Sequence, residues 1–226
     1  SAEGSIIGGG FSNTIQTNCN NSTIGGGWYN NIYENSGVSV IGGGFGNHIE
    51  SNSARSTLGG GWDNLIHTGV LEGTISGGGF NKIHDGAWGS VIGGGRGNTI
   101  GSFAELATIG GGYQNMIGVG ANQATIPGGR DNTAAGRFSF AAGRRAHANH
   151  DGAFVWNDSR DTDFSSTVAN EFNIRAQNGV RIEANKGIHL NAQDAPIIVR
   201  DWDPFAASAG TNKAGIGRWG LFMEPN

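Results

Sequence analysis

The sequence holds a single cysteine, Cys19, so no disulfide within the chain can brace it, and no Cys/His set has the spacing of a structural zinc site. Proline is scarce, at 4 residues, and the glycines do not recur every third position, which excludes a collagen triple helix. Charged residues make up only 14% of the chain and hydrophobic ones 36%, too little charge for a typical disordered segment and too little aliphatic bulk for a helical or α/β enzyme. The 14 basic and 18 acidic residues leave a net charge of −4, which gives no electrostatic reason to gather on nucleic acid or anionic lipid. No apolar run approaches the ~20 residues that span a bilayer. Ser1 opens inside a repeat with no signal-peptide pattern ahead of it, which reads as a mature or excised piece.

Glycine is present in abundance, 43 of 226 residues, and it belongs to a strict repeat. Asparagine recurs at Asn13, Asn30, Asn47, Asn64, Asn81, Asn98, Asn115 and Asn132, always 17 residues apart. Two positions later stand Ile15, Ile32, Ile49, Ile66, Ile83, Ile100, Ile117 and Ala134. Six positions before each Asn runs a second aliphatic column, Ile7, Ile24, Ile41, Leu58, Ile75, Ile92, Ile109 and Ile126. The unit reads [TV]-[IL]-G-G-G-aromatic-x-N-x-I, followed by a variable polar stretch.

A period that holds phase over eight units means that equivalent residues stack from coil to coil, the signature of a solenoid. Glycine triplets exclude helix, so the expected fold is all-β: a repetitive parallel β-roll of 17-residue coils. Thr or Val ahead of the first aliphatic column should point outward while its neighbour points in. Each coil offers few bulky side chains against the number of residues it must order, so a shared core among several chains, a homotrimer, is expected. The glycine triplets would allow the close backbone approach that such a bundle needs. The repeated Asn reads as structural, suited to a left-handed corner and to amide ladders between coils.

From Ile7 to Gly143 the chain resembles the head of YadA-like trimeric autotransporter adhesins, whose heads are trimers of left-handed parallel β-rolls. The likeness is closest at Phe138-Ser139-Phe140-Ala141-Ala142-Gly143, where the Ile126-to-Phe140 interval shortens to 14 and Ala replaces Ile. The stretch Gly143 to Trp156 resembles the end of the β-roll region in bacterial tail-fibre-like proteins. This resemblance implies a head over 1–143, a neck over 144–166 and a tail-fibre-like β region with a cap over 167–226. In the last part, Phe172-x-Ile174-x-Ala176, Val180-x-Ile182-x-Ala184 and Ile188-x-Leu190-x-Ala192 repeat every 8 residues, with turns at Asn178-Gly179 and Asn185-Lys186-Gly187. Trp202, Phe205, Trp219 and Phe222 belong to the expected cap.

Candidate site residues are few. Phe11, Trp28, Phe45, Trp62 and Tyr113 follow the glycines, with Phe80 one place out of step and Arg96 and Arg130 substituting. Such a column serves either as a packing ladder between chains or as a grip on sugar rings. Arg144, Arg145, His147 and His150 form a polar collar at the neck, suited to pairing with carboxylates of a neighbouring chain. His67 and His84 should stack on a solvated outer face. No paired carboxylates, nucleophile–base set or phosphate loop appears, so neither an enzyme, a metal site nor a cofactor is expected. The expected function is a non-enzymatic extracellular adhesive fibre, self-associating as a homotrimer and contacting surface glycans or matrix proteins. A polymerising filament and a phage-type tail fibre or polysaccharide-degrading spike remain as alternatives.

Overall fold

A computed structural model of the chain describes residues 1–182. These residues form an all-β parallel solenoid with no helix among them. One sheet has 11 strands, from Ile6–Ile7 to Phe172–Arg175, and the other has 10, from Thr14–Ile15 to Phe164–Ser165. Every pairing is parallel. Through the regular repeats each residue pairs with the one 17 positions on, as in Ile24↔Ile41 and Ile32↔Ile49, so one repeat makes one coil. At about 4.8 Å between stacked strands, the ladder grows by a small fixed step at each turn of the chain.

Two-residue strands suffice because the coil turns sharply between them. In each coil the residue before the conserved Asn is left-handed, as at Tyr29, Asp63 and Gln114. Further left-handed residues mark the turns after the second strand, for example Asn35 and Val38. The corner expected at Asn therefore falls one position earlier.

The core lies inside a single chain. Ile24, Ile41, Leu58, Ile75, Ile92 and Ile109 are wholly buried on one sheet, as are Ile32, Ile49, Ile66 and Ile83 on the other. Two inward columns of small residues close the coil, one holding Cys19, Ser36, Ser53, Val70 and Ala87, the other Ser22, Ser39, Ser56 and Ser90. The interior is narrow enough to be filled by Ile, Asn, Ser and Ala. A core shared among several chains, as expected from the few bulky side chains per coil, is thus not needed to cover the isoleucines of these coils.

The glycines act within the chain as well. Gly44 has φ +94°, and a Cβ there would run into the carbonyl oxygen and nitrogen of Gly61 in the next coil. Close approach is between successive turns of one chain, not between neighbouring chains.

The sheets continue past Gly143, which pairs with Asn157 inside the ladder. Coils here change length, with Phe140↔Phe154 and then Phe154↔Phe172 in register. Because Thr125 pairs with Phe140, the heir to the Ile126 column is the buried Ala141, and Phe140 points outward. Phe172–Arg175 is the last strand among the described residues, and it pairs in the same ladder as the coils before it. Asn178-Gly179 does lie in a turn, closed by the Gly179 N–H donating to the Ala176 carbonyl at 3.1 Å. Residues 1–180 make one compact unit and a second begins at Arg181. The triplet at Ile188 to Ala192 and the expected cap lie outside the described residues.

Candidate binding face

The glycine turn that joins the two sheets sets the aromatic column on one edge of the solenoid. Phe11, Trp28, Phe45 and Trp62 pair in parallel, one residue per coil, and the line continues through Gly79, Arg96, Tyr113 and Arg130 to Arg144. Phe11, Trp28 and Trp62 are 59%, 56% and 52% exposed, and Phe45 and Tyr113 are also open to solvent. The column is therefore no part of the chain's own core.

A second row stands beside it. Tyr29 sits edge-on between Phe11 and Phe45, with ring centroids 6.0 Å from each. Phe80 packs on Trp62 at 4.9 Å and takes the Arg96 guanidinium over its face at 5.4 Å. Arg130 lies over Tyr113 in the same way, also at 5.4 Å. Tyr29 and Phe80 both adopt left-handed backbone, at φ 56° and 59°, which costs a bulky L-residue about 1–2 kcal/mol. Two rings are thus held on this edge at positions where glycine, as at Gly46 and Gly97, would be unstrained. Phe80 was visible in the sequence as an offset aromatic. Tyr29 was not singled out, although it occupies the same column three repeats earlier.

The Asn column is interior and structural. Asn30 through Asn132 are fully buried, and from Asn30 to Asn115 each side-chain oxygen accepts the backbone N–H of the Asn in the next coil, for example Asn98 N to Asn81 Oδ1 at 3.0 Å, while Asn132 Oδ1 accepts the Ala146 N–H at 3.0 Å. Each Nδ2 donates to two glycine carbonyls, for Asn98 those of Gly94 at 2.9 Å and Gly112 at 3.1 Å. Asn13, in the first coil, is less buried but makes the same glycine contacts. The side chain pins the glycine turn that carries the aromatic edge.

The expected neck collar finds its partners in its own chain. Arg144 Nη2 is 2.8 Å from Asp161, and Arg145 Nε is 2.6 Å from Asp163, both on the loop after the Phe154–Asn157 strand. The hydrogen bond from Arg145, with its charge, holds the Asp163 carboxyl below the usual range. His147 Nε2 lies 3.4 Å from the same Asp163. His150 points elsewhere, with Nδ1 2.8 Å from Ser166 Oγ, and Asp151 accepts the Arg137 backbone N–H. His147, His150 and Asp151 therefore do not converge on one point.

His67 and His84 do stack, rings 4.5 Å apart and 12° from parallel. Burial, and then the neighbouring His67, push the His84 pKa down. On the opposite edge of the coil, Leu71, Trp88, Phe103 and Leu106 are exposed; sequence reading did not pick them out, because they are spread over three columns, with only Leu71 and Trp88 one repeat apart. No protein-family model matches the chain, and no curated protein matches it in sequence.

Proposed function

We propose that the protein is a non-enzymatic adhesive fibre that acts outside the cell as a homotrimeric rod. Its aromatic–arginine edge takes surface glycans. The observation that carries this reading is the line from Phe11 to Arg130, which presents a solvent-open aromatic or arginine in every coil but one, where Gly79 stands and Phe80 lies beside it. Exposed rings pack on the apolar faces of sugars, and the flanking guanidiniums and Tyr113 hydroxyl supply hydrogen bonds to hydroxyl groups. Each contact is weak, but a regular row against a repetitive polymer gains from multivalency, and three copies of the row gain more.

Two features support the trimer. The parallel β-roll fold is compatible with that of the trimeric adhesin heads the sequence resembles. The exposed apolar residues around Trp88 and Phe103 lie on the edge away from the aromatic line and offer a place for copies to pack while the line stays free. On this account self-association uses outer surfaces and leaves each chain's core intact.

Light scattering should give a particle of three times the 23.3 kDa chain mass. Binding to immobilised bacterial and host polysaccharides should fall when Trp28 and Trp62 are replaced by Ala. A monomer, or glycan binding indifferent to both substitutions, would contradict the respective half of the proposal.

A further inference from the structure

On the face after the second strand column, Glu50, His67 and Asp85 come from three successive coils and bring one ligand atom each to a common point. His67 Nδ1 is 3.3 Å from Glu50 Oε2 and 4.0 Å from Asp85 Oδ1, and all three atoms lie within 4.8 Å of one another. We propose that these three side chains form a binding site for a borderline divalent transition ion of the zinc class.

Hydrogen bonding alone leaves the arrangement incomplete. An imidazole Nδ1 carries at most one proton and can satisfy only one of the two carboxylates that face it. Two carboxylates this close also repel, and each favours a cation between them. A divalent ion serves all three ligands at once.

The distances fit a small ion. Bonds of about 2.1 Å around a tetrahedral zinc put neighbouring ligand atoms about 3.4 Å apart. The Glu50–His67 separation already matches. Asp85, whose side chain is 61% exposed, has the freedom to close its longer gap by rotation. Solvent completes the fourth position. The donor set of one nitrogen and two oxygens favours zinc-class ions over Ca²⁺ or Mg²⁺, which take six or more oxygen ligands or keep most of their water.

The surroundings hold the ligands in place. Thr68 Oγ1 donates to Glu50 Oε2 at 3.1 Å. His84 stacks on the His67 ring and fixes its plane. The ladder itself sets the spacing, because each coil advances the next ligand by one inter-strand step.

The test is calorimetric titration of the full-length, EDTA-treated chain with zinc chloride. One saturable site per chain is expected, weakened at least tenfold in His67→Gln and in Asp85→Asn and unchanged in His150→Gln. In parallel, the ¹⁵N resonance of His67 Nδ1 in the unsubstituted protein should shift on zinc addition, which reads ligation without relying on any variant's folding. No saturable uptake up to about 1 mM zinc, binding that survives His67→Gln, or binding that is lost in His150→Gln would overturn the proposal.

Discussion

Asn47 Oδ1 accepts the backbone N–H of Asn64 at 3.1 Å and lies 3.2 Å from Asn64 Nδ2. The same Asn64 Nδ2 donates to Gly60 and Gly78 carbonyls at 3.0 and 2.9 Å. One buried amide thus links three successive coils. Replacing Asn64 with Ala removes the acceptor for the Asn81 N–H and the donor for both carbonyls. The expected loss is about 3 kcal/mol, because the Asn81 N–H and the Gly60 carbonyl lose their partner and a buried group left without one costs about 1–3 kcal/mol, while the Gly78 carbonyl still accepts the Trp62 N–H at 2.9 Å. Asn64→Asp should be worse than Asn64→Ala at neutral pH, because a carboxylate has no proton to offer the glycine carbonyls. Urea denaturation of the three proteins checks both the size and the order.

Glycine positions in the coil should differ sharply in tolerance. Gly44→Ala faces a left-handed φ and a collision with Gly61, whereas Gly69→Ala, at φ +72°, meets nothing within 4 Å. The second change should cost only the conformational penalty of about 1–2 kcal/mol. The first should cost clearly more, read as a larger drop in the denaturation midpoint.

Burial predicts a gradient along the isoleucine ladder. Ile66→Ala, at a wholly buried site in mid-solenoid, should lose about 2–5 kcal/mol. Ile15→Ala, only partly buried in the first coil, should lose less. Equal losses at the two sites would contradict this gradient.

The loop after the Phe154–Asn157 strand should loosen in acid. Hydrogen bonds from Arg160, foremost its side chain, hold the Asp158 pKa down to about 2. A carboxyl depressed in the folded state binds fewer protons there than when unfolded, so its contribution is complete above about pH 4 and disappears as pH falls toward 2. An NMR titration should place the Asp158 midpoint near 2 and move it upward in Arg160→Ala. Hydrogen exchange in this loop should quicken over the same interval.

The repeat made much of the fold legible. Phase-locked Ile and Asn columns specify stacked coils, and the alternation at Thr23-Ile24 or Val40-Ile41 specifies which side chain turns inward. The closure of the coil was hidden, because Cys19, Ser36, Ser53, Val70 and Ala87 share no polarity and show no hydrophobic period. What they share is small volume. Their hydroxyls also pass hydrogen bonds between coils, as when Ser36 Oγ accepts the Ser53 N–H at 3.1 Å and donates to the Glu50 carbonyl at 2.7 Å. Without these columns a coil looks open, and a core shared between chains appears necessary. The register near Phe140 was hidden for a related reason: in a shortened coil two neighbouring residues compete for one inward position, and only Ala141 fits the narrowed interior. The Glu50–His67–Asp85 cluster escaped notice because its ligands come from two adjacent columns, each varied enough to pass as solvated surface.

The central claim is that each chain seals its own core and that association, where it occurs, uses outer surfaces. Serial dilution with native mass and amide hydrogen exchange recorded on the same samples tests it most directly. The account predicts that amides of the buried columns, from Ile24 to Ile126, stay slow to exchange in particles of single-chain mass. Exchange of those amides that becomes fast as soon as the mass falls to one chain would contradict it.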